Sequence, residues 1–109
     1  MFRSLSWLTT ILLLALSVSP SHAQDAEAGR AKAQMCAVCH GVQGISTAPD
    51  APHLAGQPAI YTAAQLKAYR SGARKHEVMA VMARMLNDDD ISNLAAWYAS
   101  LRIEVQPPR

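Results

Sequence analysis

The two cysteines of this chain stand three residues apart, in Cys36-Ala37-Val38-Cys39, and a histidine, His40, follows at once. No other feature narrows the possible folds so far. A disulfide between them would close so short a loop that it would remove little unfolded-state entropy. They are therefore poor material for the usual staple of an exported domain. Yet a staple is needed. The 109 residues allow one small domain, and from Gln24 onward large apolar side chains are few and phenylalanine is absent. Domains of this size seldom secure themselves on hydrophobic burial alone. The cysteines are read as sites of chemistry that also fills the core.

Residues 1–23 set the compartment. Trp7 to Val18 reads WLTTILLLALSV without a charge, Arg3 precedes it, and Ser21-His22-Ala23 follows. A basic start, a short apolar run and a small-x-small site describe a secretory signal peptide cleaved after Ala23. The run is also shorter than the roughly 20 residues that span a bilayer. The expected organisation is a signal peptide over 1–23 and one domain over 24–109, located in the periplasm; tethering by an uncleaved N-terminus is the alternative. The formal net charge of +2 falls by one once Arg3 is removed. So weak a field argues for neither nucleic acid nor an anionic membrane surface.

Beyond Gln24, alanine far outnumbers the β-branched residues and no stretch alternates apolar with polar, which predicts an all-α fold. A first helix is expected from about Asp25 to Met35, with Asp25 and Glu27 at its positive end and Ala26, Gly29 and Ala33 as a narrow buried stripe. The glycines and prolines from Gly41 to Pro58 predict a loop. A second helix is expected over Ala59–Ser71, between Pro58 and Gly72, with Ile60, Tyr61, Ala64 and Ala68 on one side. The Met-rich segment Val78 to Leu86 has no clear assignment. Asn87 can cap a last helix whose first turn holds Asp88, Asp89 and Asp90 and whose stripe is Ile91, Leu94, Ala95, Tyr98 and Leu101, bordered by Trp97.

Cys36-Ala37-Val38-Cys39-His40 is the C-x-x-C-H attachment signature of c-type haem. Two thiols at this spacing can reach both vinyl groups of one porphyrin, and the adjacent histidine is carried beneath the iron as proximal ligand. The large flat group would then supply the missing filler. A thioredoxin-like dithiol would want a βαβ context, which is not evident. A structural zinc site needs four ligands, and His53 and His76 would have to join without recognisable spacing.

The motif is accompanied by Gly29, Gly41, Pro52-x-Leu54-Ala55-Gly56-Gln57, Tyr61-x-x-x-Gln65-Leu66, Arg70-x-Gly72-x-Arg74, and Asp88-Asp89-Asp90-Ile91 with Leu94-Ala95-x-x-Tyr98. In this ordered set the chain resembles class I c-type cytochromes, and is similar to small monohaem bacterial carriers of the c4/c553 kind and to one half of the dihaem c4 type. The resemblance implies a cytochrome c fold of about four short helices around one covalently bound haem c, with N- and C-terminal helices crossing. It implies thioethers at Cys36 and Cys39, iron ligation by His40, a Pro52 carbonyl accepting from that histidine (Pro49 being the weaker candidate), Leu54 against the haem, and Arg74 near the propionates. One departure is Ala33, where relatives often carry an aromatic residue.

For the distal iron ligand, Met79, Met82 and Met85 are spaced by three, and spacing alone hardly separates them. The resemblance favours Met79, with Met82 second and Met85 third. His53 is read as a surface residue and His76 as a remote alternative ligand. Lys67, Arg70, Arg74 and Lys75 form a basic cluster, read as solvated surface, as propionate partners or as a steering patch for an acidic partner.

The function so implied is electron transfer rather than catalysis, with no organic substrate. The chain would be a monomer making transient contacts with a quinol-oxidising complex, a dehydrogenase, a terminal oxidase or a peroxidase. A permanent haem-bearing subunit of a periplasmic dehydrogenase or oxidase is the alternative. A haem enzyme or gas sensor would need an open iron position.

Overall fold

A computed structural model describes residues 24–109. The expected signal peptide and its Ala23 cleavage site lie outside the described residues. The described residues hold five α-helices, α1 over Ala26–Lys32, α2 over Ala37–His40, α3 over Ala59–Ser71, α4 over Glu77–Arg84 and α5 over Asp88–Ser100, with a 3-10 turn at Ala33–Met35 between the first two. Among the described residues there is no strand, and no helix is long and apolar enough to cross a membrane.

The first helix is shorter than its expected span because its ends are specialised. Asp25 stands outside α1 as its cap, accepting from the amides of Glu27 and Ala28. The last expected turn tightens into the 3-10 turn, which delivers Cys36. At the other end of the chain, Asn87 accepts from the Asp90 amide at 2.8 Å while the Asp90 carboxylate accepts from the Asn87 amide at 3.1 Å. This reciprocal cap starts α5 where the sequence places it. Ile91, Leu94, Ala95 and Tyr98 are buried, as the stripe requires, and Trp97 borders them.

The core is small. Ala33, Leu86, Ile91, Leu94 and Tyr98 form its buried cluster, and Met35, Cys36, Leu54, Ala63, Leu66, Trp97 and Leu101 pack around it. The first and last helices cross at Gly29, where an added Cβ would run into the Asn93 carbonyl and come within 2.9 Å of Trp97 Cβ. The crossing is tied by Asp25 N–H donating to Asn93 Oδ1 at 2.9 Å and by Lys32 and Asp90 at 3.2 Å. The Arg30 guanidinium covers the Trp97 ring at 5.6 Å. Ala33 is itself buried, and Trp97 packs against the cluster that contains it.

The bounds of α3 match expectation, and Gly72 ends it in the left-handed conformation. Its inward side does not match. Ile60 is 87% exposed, Tyr61 50% exposed, and Ala64 also exposed, whereas Thr62 is buried and Ala63 and Leu66 meet the core. Apolar residues run nearly all round this helix, so periodicity alone does not select a side; packing on α4 and α5 does. The Met-rich segment resolves into α4, with Ala83 buried, Met79 and Met82 half-buried, and Val78, Val81 and Met85 outward.

Candidate haem site

One turn of helix organises the chemistry. Cys36 precedes α2, and its carbonyl accepts from the amides of Cys39 at 3.3 Å and His40 at 2.9 Å. Positions i, i+3 and i+4 of a helical turn share a face, so both cysteines and the histidine are presented together. Gly41 then ends the turn at φ +84°, where a side chain would be strained and would strike the Ile45 carbonyl.

His40 is buried, and its Nδ1–H donates to the Pro52 carbonyl at 2.8 Å. A neutral imidazole that donates from Nδ1 keeps a lone pair on Nε2. The ring is thereby fixed in tautomer and orientation as a ligating histidine is. Of the two prolines named from the resemblance, Pro52 is the one whose carbonyl meets His40.

The loop carrying Pro52 is braced from two directions. The Gly44 carbonyl accepts from the amides of Leu54 at 2.7 Å and Ala55 at 3.0 Å, and Gly56 N–H reaches the Tyr98 carbonyl at 2.8 Å. Ser46 forms the second brace, and sequence reasoning missed it. Its buried hydroxyl donates to the Cys39 carbonyl at 2.9 Å and accepts from the Ala48 amide at 3.1 Å, while its own amide donates to His53 Nδ1 at 2.8 Å. No periodicity or charge marks this serine in the sequence. His53 is exposed as expected, yet its ring works inward.

Cys36 and Cys39 are both unpaired thiols, the first partly buried and the second exposed. Burial pushes the Cys36 thiol up from its ordinary value, against a smaller opposing effect of the Tyr98 hydroxyl. Burial likewise holds the Tyr98 phenol well above the usual range, with the Cys36 sulfur beside it adding to the effect. The core side of Cys36 packs on the cluster that contains Tyr98. Leu54 packs on the same cluster as Cys36.

The donor set suits a haem. Two free thiols on one helical face flank an imidazole whose Nε2 is left open. Among the described residues no three of His, Cys, Asp or Glu cluster so as to hold a metal ion by themselves.

The basic cluster divides. Arg70 is committed to the fold, donating to the Leu86 carbonyl at 3.2 Å and to Asp88 at 2.6 Å, and it holds the Asp88 carboxyl below the usual carboxylate range. Arg74 lies against α3, donating to Gln65 Oε1 at 2.7 Å with its guanidinium 4.7 Å from the Tyr69 ring centre. Lys67 and Lys75 are exposed.

Residues 26–102 match the family described as Cytochrome c. Cytochrome c-554(548) of Halomonas halodenitrificans is 46% identical over 81 residues, an alignment covering 72% of this chain and 98% of that protein. A solved structure of reduced recombinant cytochrome c4 from Pseudomonas stutzeri superposes with a TM-score of 0.69 at 39% identity, over 73% of this chain and 47% of that one. A thiosulfate dehydrogenase electron acceptor of Stutzerimonas stutzeri is 39% identical over 69 residues, 61% of this chain and 32% of that protein. The chain thus spans nearly all of the first relative but half or less of the other two.

Proposed function

The chain belongs to the cytochrome c family, electron-transfer proteins that bind haem c covalently, and on that premise we propose that it is a periplasmic single-electron carrier with His40 and Met79 as its two iron ligands. When bound, the haem supplies an iron that cycles between Fe(III) and Fe(II). Cys36 and Cys39 anchor it by thioethers. His40 offers Nε2, and Pro52 keeps that nitrogen aimed by holding Nδ1–H. Leu54 and the core-packed side of Cys36 keep water away. The 2.8 Å bond between His40 and Pro52 is the observation that carries this reading.

On the distal side, the half-burial of Met79 and Met82 separates both from Met85, which is 57% exposed at the end of α4. Met79 sits in the first turn of α4, directly after the loop from Gly72, and takes the role. The oxidised protein should show the weak near-infrared band of sulfur-to-iron charge transfer. Met79→Ala should abolish that band and let the reduced protein bind carbon monoxide, while Met82→Ala leaves both unchanged. The reverse pattern would make Met82 the ligand.

Similarity to the thiosulfate dehydrogenase electron acceptor favours a dehydrogenase as the electron donor. Export follows from residues 1–23, with processing between Ala23 and Gln24. N-terminal sequencing of the periplasmic form should begin at Gln24; a chain still starting at Met1 would instead support a tethered carrier.

A further inference from the structure

A histidine that the carrier function does not use lies three residues before Met79. His76 is the N-cap of α4, with an extended backbone (φ −159°, ψ 133°), and its Nδ1 accepts from the Met79 amide at 3.2 Å. Ser, Thr, Asp and Asn are the usual residues at such a position. An imidazole can serve only if Nδ1 is the acceptor, which places the ring proton on Nε2. The capped amide belongs to the very residue that offers its thioether to the iron.

The ring is itself held. It meets Tyr69 edge-on, with centroids 6.4 Å apart and planes at 76°, within the range of favourable aromatic pairs. Tyr69 is covered on its face by the Arg74 guanidinium at 4.7 Å, and Arg74 is pinned to Gln65 at 2.7 Å and through its amide to the Ala68 carbonyl at 3.1 Å. Gln65 and Tyr69 are one helical turn apart on α3. A continuous chain of contacts therefore runs from α3 through Arg74, Tyr69 and His76 to the backbone of Met79.

We propose that His76 is a positioning residue for the distal ligand, clamping the first turn of α4 to α3 so that the Met79 sulfur stays on the iron. This rests on the reading of Met79 as that ligand. Without the clamp the first turn of α4 would fray, and the thioether, attached to a backbone no longer fixed, would leave the iron more often.

The test uses the full haem-loaded protein and carbon monoxide as the probe of an open iron position. His76→Ala should raise the rate of carbon monoxide binding to the reduced form about fivefold, the equivalent of about 1 kcal/mol lost at a helix cap. It should also weaken the near-infrared band and lower the reduction potential. His76→Asn, which restores the capping acceptor but not the ring against Tyr69, should recover only part of each reading. Asn87→Ala, which removes the cap of α5 instead, should lower the melting temperature and leave the carbon monoxide rate unchanged. If Met79→Ala abolishes the band but His76→Ala changes neither band nor rate, or if asparagine restores all three readings in full, the clamp to α3 is wrong. If Met79→Ala keeps the band, the ligand reading fails and the clamp falls with it.

Discussion

With Cys36 and Cys39 both replaced by alanine, the chain should be recovered without haem and largely unfolded, giving a far-ultraviolet circular dichroism spectrum with little helix. The parent protein, extracted with acid–acetone, should keep its haem on the polypeptide. The second expectation follows from the thioethers, the first from a shortage of core. Ile91 and Leu94 are the largest side chains that are fully buried, and among the described residues four of the eight buried apolar residues are alanines, at 33, 55, 83 and 95. Burial free energy scales with apolar area removed from water, about 25 cal/mol per Å², and alanines contribute little of it. Cys36, Met35 and Leu54 pack against the cluster, at or beside the attachment motif, so a covalently held haem would complete an existing apolar surface. A cysteine-free chain that folded cooperatively without haem would show that the helices alone suffice.

The parts of this fold that are legible in the sequence are those whose signals are local and chemically distinct. The reciprocal cap of Asn87 and Asp90 and the stripe from Ile91 to Tyr98 specify α5 before any packing is known. Pro58 and Gly72 bracket α3 in the same way. The C-x-x-C-H motif names its own chemistry. By contrast, the inward face of α3 depends on partners that the sequence does not place: Ala63 and Leu66 win it by packing on the cluster that holds Ile91 and Leu94 of α5, while the larger Ile60 and Tyr61 remain outside. The fourth helix is hidden for a related reason. Its cap is a histidine rather than one of the usual residues, so no start signal precedes Glu77. The bracing role of Ser46 needs three partners brought together by a loop, namely Cys39, Ala48 and His53. No one-dimensional pattern contains that arrangement.

At the crossing of α1 and α5, Gly29→Ala should destabilise the protein although it exchanges a poor helix former for the best one. In an exposed helix interior the same exchange gains about 0.8–1 kcal/mol. Here the new methyl would overlap the Asn93 carbonyl, which is backbone and cannot swing away, and would press on Trp97 Cβ at 2.9 Å. Relief requires α5 to move as a body. That movement would stretch the bond from the Asp25 amide to Asn93 and the Lys32–Asp90 pair, and it would lift Trp97 from beneath Arg30. Overpacking of this kind costs about 1–3 kcal/mol even where side chains can adjust, and a backbone obstacle puts this site at the upper end. One kcal/mol corresponds to about 4–8 °C for a domain of this size, so thermal unfolding followed by circular dichroism should show a fall of roughly 10 °C or more. The control is Ala28→Gly, one residue earlier on the exposed side of α1, where the loss should be only the intrinsic difference of about 1 kcal/mol. Opposite preferences at adjacent positions of one helix would identify contact between helices, rather than helix propensity, as the force that requires glycine. If Gly29→Ala raised the melting temperature instead, α1 and α5 would have to be farther apart than 2.9 Å from Cβ to Cβ allows.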